Sequence, residues 1–145
     1  MCAYDGPMTG TDGFASDLVE QLQASRDLIL WKLDGLAEYD VRRPMTPTGT
    51  NLLGLVKHLA TVEYDYFGIT FDRPHDEPLP WIADDAPPNA DMFATVTETR
   101  DDIVGLYERA TAHADATIAA LDLDAEGRVP WWADDANPVT LHWIL

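Results

Sequence analysis

The stretch that decides the fold runs from Thr50 to Glu63 and reads TNLLGLVKHLATVE. Its apolar residues recur every three or four positions, which is the spacing of one face of a helix. The members of this face are Leu52, Leu55, Val56, Leu59, Val62 and Tyr66. Thr50 is suited to cap the first turn, and Arg73-Pro74 is typical of a helix end. The pattern therefore predicts a helix over residues 50–71.

Two other segments show the same periodicity, one on each side of this stretch. In residues 14–36 the predicted apolar face consists of Ala15, Leu18, Val19, Leu22, Ile29, Leu33 and Leu36. In residues 95–121 it consists of Val96, Ile103, Leu106, Tyr107, Ala110, Ala114, Ile118 and Leu121. Thr95-Val96-Thr97-Glu98 opens this second segment with a capping-box pattern. Three long amphipathic helices without strand-like alternation predict an all-α bundle.

The two ends of the chain differ in character. Residues 1–12 contain Gly, Thr and Asp and are predicted to form a flexible N-terminal tail, with a single helical-bundle domain over residues 13–145. The last five residues, LHWIL, are almost wholly apolar. Three wide apolar stripes leave one side of a bundle uncovered. We therefore expect a fourth helix that is only begun here and continues beyond Leu145.

The composition limits the classes of partner. Nine Lys and Arg against 26 Asp and Glu give a net charge of −17, which argues against nucleic acid, because phosphates are bound by basic side chains. The apolar stretches are shorter than the roughly 20 residues that a membrane helix needs. The single cysteine, Cys2, excludes an internal disulfide, and no secretory pattern opens the chain. These features predict a cytoplasmic location.

Four polar residues stand within or beside the predicted apolar faces. Arg26 and Glu63 project into the stripes of the first two helices, where they are expected to form a buried ion pair. The other interpretation of Glu63 is an acid or base beside a metal. His58 and His113 lie at the rims of their stripes, where a lone histidine is more often structural than a ligand. No HExxH, paired histidines at i and i+4, or cysteine pair completes a metal site locally.

One short motif occurs twice, each time before a helix. PWIADDAPP at residues 80–88 recurs as PWWADDANP at residues 130–138. One interpretation is that Trp81, Trp131 and Trp132 form an aromatic lip at the mouth of a site. The favoured alternative is that the tryptophans cover the ends of the bundle, while the paired aspartates lie near helix N-termini.

Residues 50–60 resemble the second-helix signature of the DinB-like superfamily, which includes the mycothiol-dependent maleylpyruvate isomerases. The chain is most similar to the actinobacterial "mini-circle protein" branch, whose members are uncharacterised. Residues 112–118 and 121–125 resemble the end of its third helix, and residues 129–132 and 139–141 the start of its fourth. The resemblance covers residues 14–145.

This resemblance implies a four-helix bundle with a divalent metal near one end. One ligand is a histidine on the second helix, which matches His58. The other two are a His or Glu and a His on the fourth helix, and they are expected beyond Leu145, since His142 lies too early. Zinc, nickel, iron and manganese all suit such a set.

The resemblance also implies a chemistry. The metal would bind the thiol of mycothiol and lower its pKa, so that the thiolate attacks an electrophile in an S-transfer or isomerisation. The pattern identifies no catalytic residue beyond the metal ligand that the resemblance assigns to His58. The alternative is a non-catalytic helical module that binds a metal or a small molecule, or that forms a homodimer.

Overall fold

A computed structural model describes the chain from residue 10 to residue 145. Helix α1 (Gly10–Trp31) is followed by the short α2 (Glu38–Arg42), then by α3 (Leu52–Glu63) and α4 (Arg100–Ala120). Strands β1 (Glu126–Gly127) and β2 (Val139–Thr140) form one antiparallel pair, and α5 (Leu141–Ile144) follows. With 59% helix and 3% strand, the predicted all-α fold is confirmed.

The boundaries of the first helix differ from the prediction. Residues 1–9, most of the predicted tail, lie outside the described residues, and α1 begins at residue 10 rather than residue 14. The predicted helix over residues 14–36 ends early, at Trp31, and residues 32–35 form a turn. Gly35 explains this ending, because its φ of +73° is a conformation that favours glycine.

The second predicted helix follows its expected path but changes pitch. After Glu63 the chain continues through a π-helical turn (Tyr64–Gly68) and a 3-10 turn (Ile69–Phe71), so the helical path ends at residue 71 as predicted. The predicted cap at Thr50 is wrong. Asn51 is the N-cap, and its side-chain oxygen accepts a hydrogen bond from the backbone N–H of Gly54 at 2.7 Å.

The third predicted helix begins four residues later than its capping-box pattern indicated. Thr99 caps α4 in a reciprocal pair with Asp102, each side chain 3.1 Å from the other residue's backbone nitrogen. Residues 95–98 form a separate turn, in which the Glu98 carboxylate accepts from the backbone N–H of Thr95 at 2.7 Å. Val96, predicted to be in the core, lies outside the helix and is 97% exposed.

The core lies mainly between α3 and α4. Its buried apolar residues on these two helices are Leu53, Val56, Ala60, Ile103, Leu106, Tyr107 and Ala110. The predicted α1 face is less buried, and Leu33 is its only fully buried member. Likewise Leu59 and Val62 of α3 are half-buried. These two α3 residues, with Leu22 and Ile29 of α1, line an open apolar groove of about 620 Å³.

None of the helices within residues 10–145 has the length and apolar character of a transmembrane span.

Candidate functional site

One line of side chains along α3 binds a later segment of the chain, residues 79–98. Asn51 accepts a hydrogen bond from the backbone N–H of Ala94 at 3.1 Å, and Thr61 accepts one from the indole nitrogen of Trp81 at 2.9 Å. Gly54 lies between them, against the backbone of Met92. Positions three or four apart share a helical face. The second-helix signature is thus a docking surface for the 79–98 segment.

Lys57 is the most buried member of this line, with 1% of its surface exposed. Its ammonium lies 3.1 Å from both carboxylate oxygens of Glu98 and over the rings of Trp81 and Phe93, at 4.7 and 5.7 Å from their centroids. A buried ammonium needs such partners, because burying an unpaired charge is unfavourable. This role was not predicted. The observable signal was a lysine within an otherwise apolar run.

Trp81, one of the three predicted lip residues, takes part in this docking. Its indole is bonded to Thr61 and covered by Lys57, and Trp81 itself packs against the main core. Trp81 therefore anchors the 79–98 segment to α3.

His58 lies beside this line and makes a contact that could support proton transfer or ligand binding. Its Nδ1 lies 2.7 Å from a carboxylate oxygen of Asp91, and its side chain is 39% exposed. A carboxylate only accepts, so Nδ1–H donates to Asp91. In the neutral ring the lone pair then lies on Nε2. Among the described residues no group bonds to Nε2, so this nitrogen is free to accept a proton or to bind a ligand.

Asp65 lies farther along the same helical path, and the charge of His58 affects the pKa of its carboxyl. Burial raises the pKa of the Asp65 carboxyl, and the nearby His58 opposes this rise. About two helical turns separate the two residues, which is too far for a shared ligand sphere.

The predicted metal ligand His58 does not gain a complete set of partners within residues 10–145. No three His, Cys, Asp or Glu side chains of that part of the chain are placed to hold one ion. Nε2 of His58 is a suitable nitrogen donor, but a catalytic site of this kind uses three protein ligands. The residues present thus do not by themselves fit the metal that the resemblance implies.

Glu63 and Arg26 form the predicted buried ion pair. Nε and Nη2 of Arg26 donate to the two carboxylate oxygens of Glu63 at 2.8 and 2.6 Å, and Nη1 donates to Asp115 at 2.7 Å. Burial lowers the pKa of Arg26, but the hydrogen bonds to Glu63 and Asp115 outweigh it and leave the pKa raised. With both oxygens bound to Arg26, Glu63 is not the free acid beside a metal that the other interpretation required.

His113 lies in a different cluster. Its Nε2 donates to the carbonyl of Arg73 at 2.8 Å, and its ring centroid is 5.6 Å from that of Tyr64. The ring of His75 stacks on that of Tyr64 with 4.1 Å between their centroids, and its centroid lies 6.4 Å from that of His113. None of these contacts involves His58, so the structure does not bring the two predicted histidines together.

His75 makes this cluster sensitive to pH. Its Nδ1 is buried and has no hydrogen-bond partner among residues 10–145. Burial, and then the proximity of His113, lower the pKa of His75, while Glu77 and Asp76 partly oppose them. Tyr64 faces the same ring, and Arg109 pairs with Glu77 at 2.9 Å. The folded chain thus favours neutral His75.

We expect stability to fall as the pH drops below about 6.5, the pKa of an unfolded histidine. The unfolded state then binds a proton that the folded state resists, and the loss ends below the lowered folded pKa. The measurement compares unfolding free energies at pH 7.5 and 5.5 for wild type and His75→Phe, which keeps the stacking on Tyr64. An equal loss in both proteins would contradict the role of His75.

Trp131 and Trp132, the other two predicted lip residues, surround Tyr66. Their ring centroids lie 5.5 and 5.9 Å from that of Tyr66, and Trp132 contacts Trp143 at 5.2 Å. Trp132, Trp143 and Tyr66 line the apolar groove, whereas Trp131 is half exposed beside it. This aromatic cluster thus borders the groove at the end farther from His58.

These features define a class: an all-α protein whose second long helix carries a carboxylate-bound histidine and, through Leu59 and Val62, lines an apolar groove. Residues 17–145 match the sequence model of the mycothiol-S-transferase family. The chain therefore belongs to this family, in agreement with the resemblance to DinB-like proteins. No curated protein and no solved structure matches the chain.

Proposed function

We propose that this chain catalyses the transfer of intact mycothiol, through a new bond to its sulfur, onto an electrophilic small molecule. The observation that carries the proposal is the pair formed by His58 and Asp91, with Nδ1 bound at 2.7 Å and Nε2 free. Membership of the mycothiol-S-transferase family supports the choice of thiol.

The chemistry needs a thiolate at neutral pH. An ordinary thiol has a pKa near 8.5, so only a small fraction is ionised. Nε2 of neutral His58 accepts the thiol proton, as a general base does in other thiol chemistry. The sulfur then forms a bond to the electrophilic carbon. In a substitution the leaving group departs with its electron pair; in an addition His58 returns the proton to the adduct.

Metal dependence is a separate part of this proposal. A divalent zinc, nickel, iron or manganese ion at His58 would stabilise the thiolate by its positive charge. The described residues contribute His58 alone to such a set, so we assign no step to the metal. Nε2 has a single lone pair, so a metal bound there would take the place of the proposed base chemistry of His58.

The groove beside α3 is the proposed binding surface for the electrophile. Its volume of about 620 Å³ falls within the range of small-molecule sites, about 300–1,000 Å³. Its lining is mostly apolar, and Trp132 and Trp143 offer flat aromatic surfaces. The proposed electrophile is therefore a compound with an apolar or aromatic body. The net charge of −17 keeps nucleic acid outside the proposed partners.

The second candidate is a non-catalytic bundle that binds a small molecule in the same groove or pairs with a second copy there. The apolar groove and the incomplete metal set within residues 10–145 favour it. The two candidates differ in turnover, because only the transferase consumes thiol and electrophile.

The test is the reaction of mycothiol with monochlorobimane, which becomes fluorescent when a thiol displaces its chloride. His58→Ala is expected to lower kcat/KM about 100-fold or more, since it removes the general base. His142→Ala is the control, because His142 is exposed and contacts Phe14 at 5.2 Å, away from Asp91. Circular dichroism should show unchanged helicity in both variants. A wild-type rate in His58→Ala, or a wild-type rate no faster than the uncatalysed reaction, would reject the proposal.

A further inference from the structure

We infer that Asp91 is a positioning residue, which fixes the tautomer of His58 and leaves Nε2 free to act. The inference rests on the proposed function for its effect on turnover, but the tautomer itself is a property of the folded chain. Nothing in the pattern of residues around Asp91 predicted this role.

The chemistry of the contact decides the tautomer. A neutral imidazole in water carries its proton mainly on Nε2, and in that form Nε2 accepts neither a proton nor a metal. The Asp91 carboxylate accepts from Nδ1–H at 2.7 Å and so favours the opposite tautomer. Outer partners of this kind set both the ring orientation and the basicity of a histidine. Asp91 thus determines whether Nε2 of His58 can accept a proton or bind a metal.

The backbone holds Asp91 against the helix that carries His58. Asp91 lies in the 3-10 turn Ala90–Met92, which Asn89 enters in a left-handed conformation with a φ of 59°. The next residue, Met92, accepts from the backbone N–H of Asn51 at 3.2 Å. Ala90, on the other side, is buried.

A second set of contacts holds the remainder of the segment. Asn51 receives the N–H of Ala94 at 3.1 Å, and Lys57 binds the Glu98 carboxylate at 3.1 Å. Because α3 fixes the segment on both sides of Asp91, the donor and the acceptor of the His58–Asp91 bond belong to one packed unit. This arrangement requires no ligand to bring the two side chains together.

The experiment measures the tautomer of His58 by ¹⁵N NMR of the full chain at pH 8, where imidazoles are mostly neutral. The four histidines are distinguished by the signals that disappear in His58→Ala. Wild type should show protonated Nδ1 and unprotonated Nε2. Asp91→Ala should shift the population to protonated Nε2 and lower kcat/KM about 10–100-fold. Asp84→Ala, the same change at an exposed aspartate of the segment, should resemble wild type in both measurements.

The outcomes separate this inference from the proposed function. An unchanged His58 tautomer in Asp91→Ala, or a wild-type ring protonated on Nε2, would overturn the inference. A tautomer shift in Asp91→Ala together with full activity in His58→Ala would uphold the positioning role and reject the transferase mechanism. Asp91 lies in a short 3-10 turn outside the long helices, so Asp91→Ala is expected to keep the wild-type helicity.

Discussion

Glu63→Gln is expected to lower the free energy of unfolding by about 3–5 kcal/mol, because it leaves a buried charge without its partner. Arg26 is 4% exposed, and Glu63 supplies the acceptors for its Nε and Nη2 at 2.8 and 2.6 Å. Glutamine keeps one oxygen acceptor but removes the negative charge. The guanidinium cannot lose its proton in compensation, because arginine stays protonated in proteins.

Two matched variants calibrate this loss. Asp115 binds Nη1 of Arg26, but its side chain is 53% exposed, so Asp115→Asn should cost only about 0.2–1 kcal/mol. Glu108→Gln changes an exposed glutamate of α4 and should be close to neutral. Urea unfolding followed by circular dichroism measures all three. Equal unfolding midpoints for Glu63→Gln and Glu108→Gln would show that the pair is not buried in solution.

The ion pair is important because of where it lies. Arg26 belongs to α1, Glu63 to α3 and Asp115 to α4, so a single guanidinium joins the three long helices. The apolar face of α1 is only partly covered, which leaves α1 with less hydrophobic stabilisation than α3 or α4. The polar contact is therefore a large share of what fixes α1.

Periodicity predicted the elements that depend on burial. The predicted face of α4 lies in the core at Ile103, Leu106, Tyr107, Ala110 and Ala114. Arg26 and Glu63, the charged residues inside two stripes, meet because each is buried and needs an opposite charge. Such predictions succeed because burial imposes a spacing on the sequence itself. They do not depend on which distant residues are in contact.

The failures concern choices that local sequence leaves open. Residues 95–98 and 99–102 both pair a threonine with an acid three positions later, so either pattern satisfies a capping box. Glu98 binds Lys57, 41 positions earlier in the chain, and the helix begins at the second pattern. A contact over that distance has no local signature.

The candidate site shows the same division. His58 was identified by resemblance and helical position, but its partner Asp91 lies 33 positions away in an irregular segment. The sequence identified His113 only as a histidine on a helical rim, without indicating what its ring contacts. The structure instead pairs its ring with Tyr64 and His75, since the π-helical turn after Glu63 carries Tyr64 toward α4. The spacing of apolar residues along the sequence does not predict such a turn.

Gly54→Ala should have the second large effect, a loss of about 3 kcal/mol, at the upper end for overpacking. A Cβ at this position would lie 2.0 Å from the carbonyl oxygen of Met92 and 2.4 Å from Cα of Phe93. Both are backbone atoms, which cannot rotate away as a side chain does. The 79–98 segment must therefore shift away from α3.

The shift should also reach His58, although neither His58 nor Asp91 is changed. Asp91 precedes Met92 directly, so displacing Met92 moves the carboxylate away from the imidazole, which it contacts at 2.7 Å. Gly54→Ala should thus move the His58 tautomer toward protonated Nε2, as Asp91→Ala does. A lower stability with an unchanged tautomer would show that Met92 is displaced from α3 while Asp91 keeps its contact with His58.

Gly105→Ala provides the control, because both glycines lie inside long helices and only one of them faces backbone. The nearest atom to a Cβ at Gly105 is Nη1 of Arg109 at 3.3 Å, the end of a flexible and mostly exposed side chain. Without an obstacle, replacing a helical glycine by alanine stabilises by about 0.5–1 kcal/mol. The two substitutions should therefore change the unfolding free energy in opposite directions. Stabilisation by both would mean that the 79–98 segment does not pack against α3 at Gly54. This packing would then not be what holds Asp91 against His58.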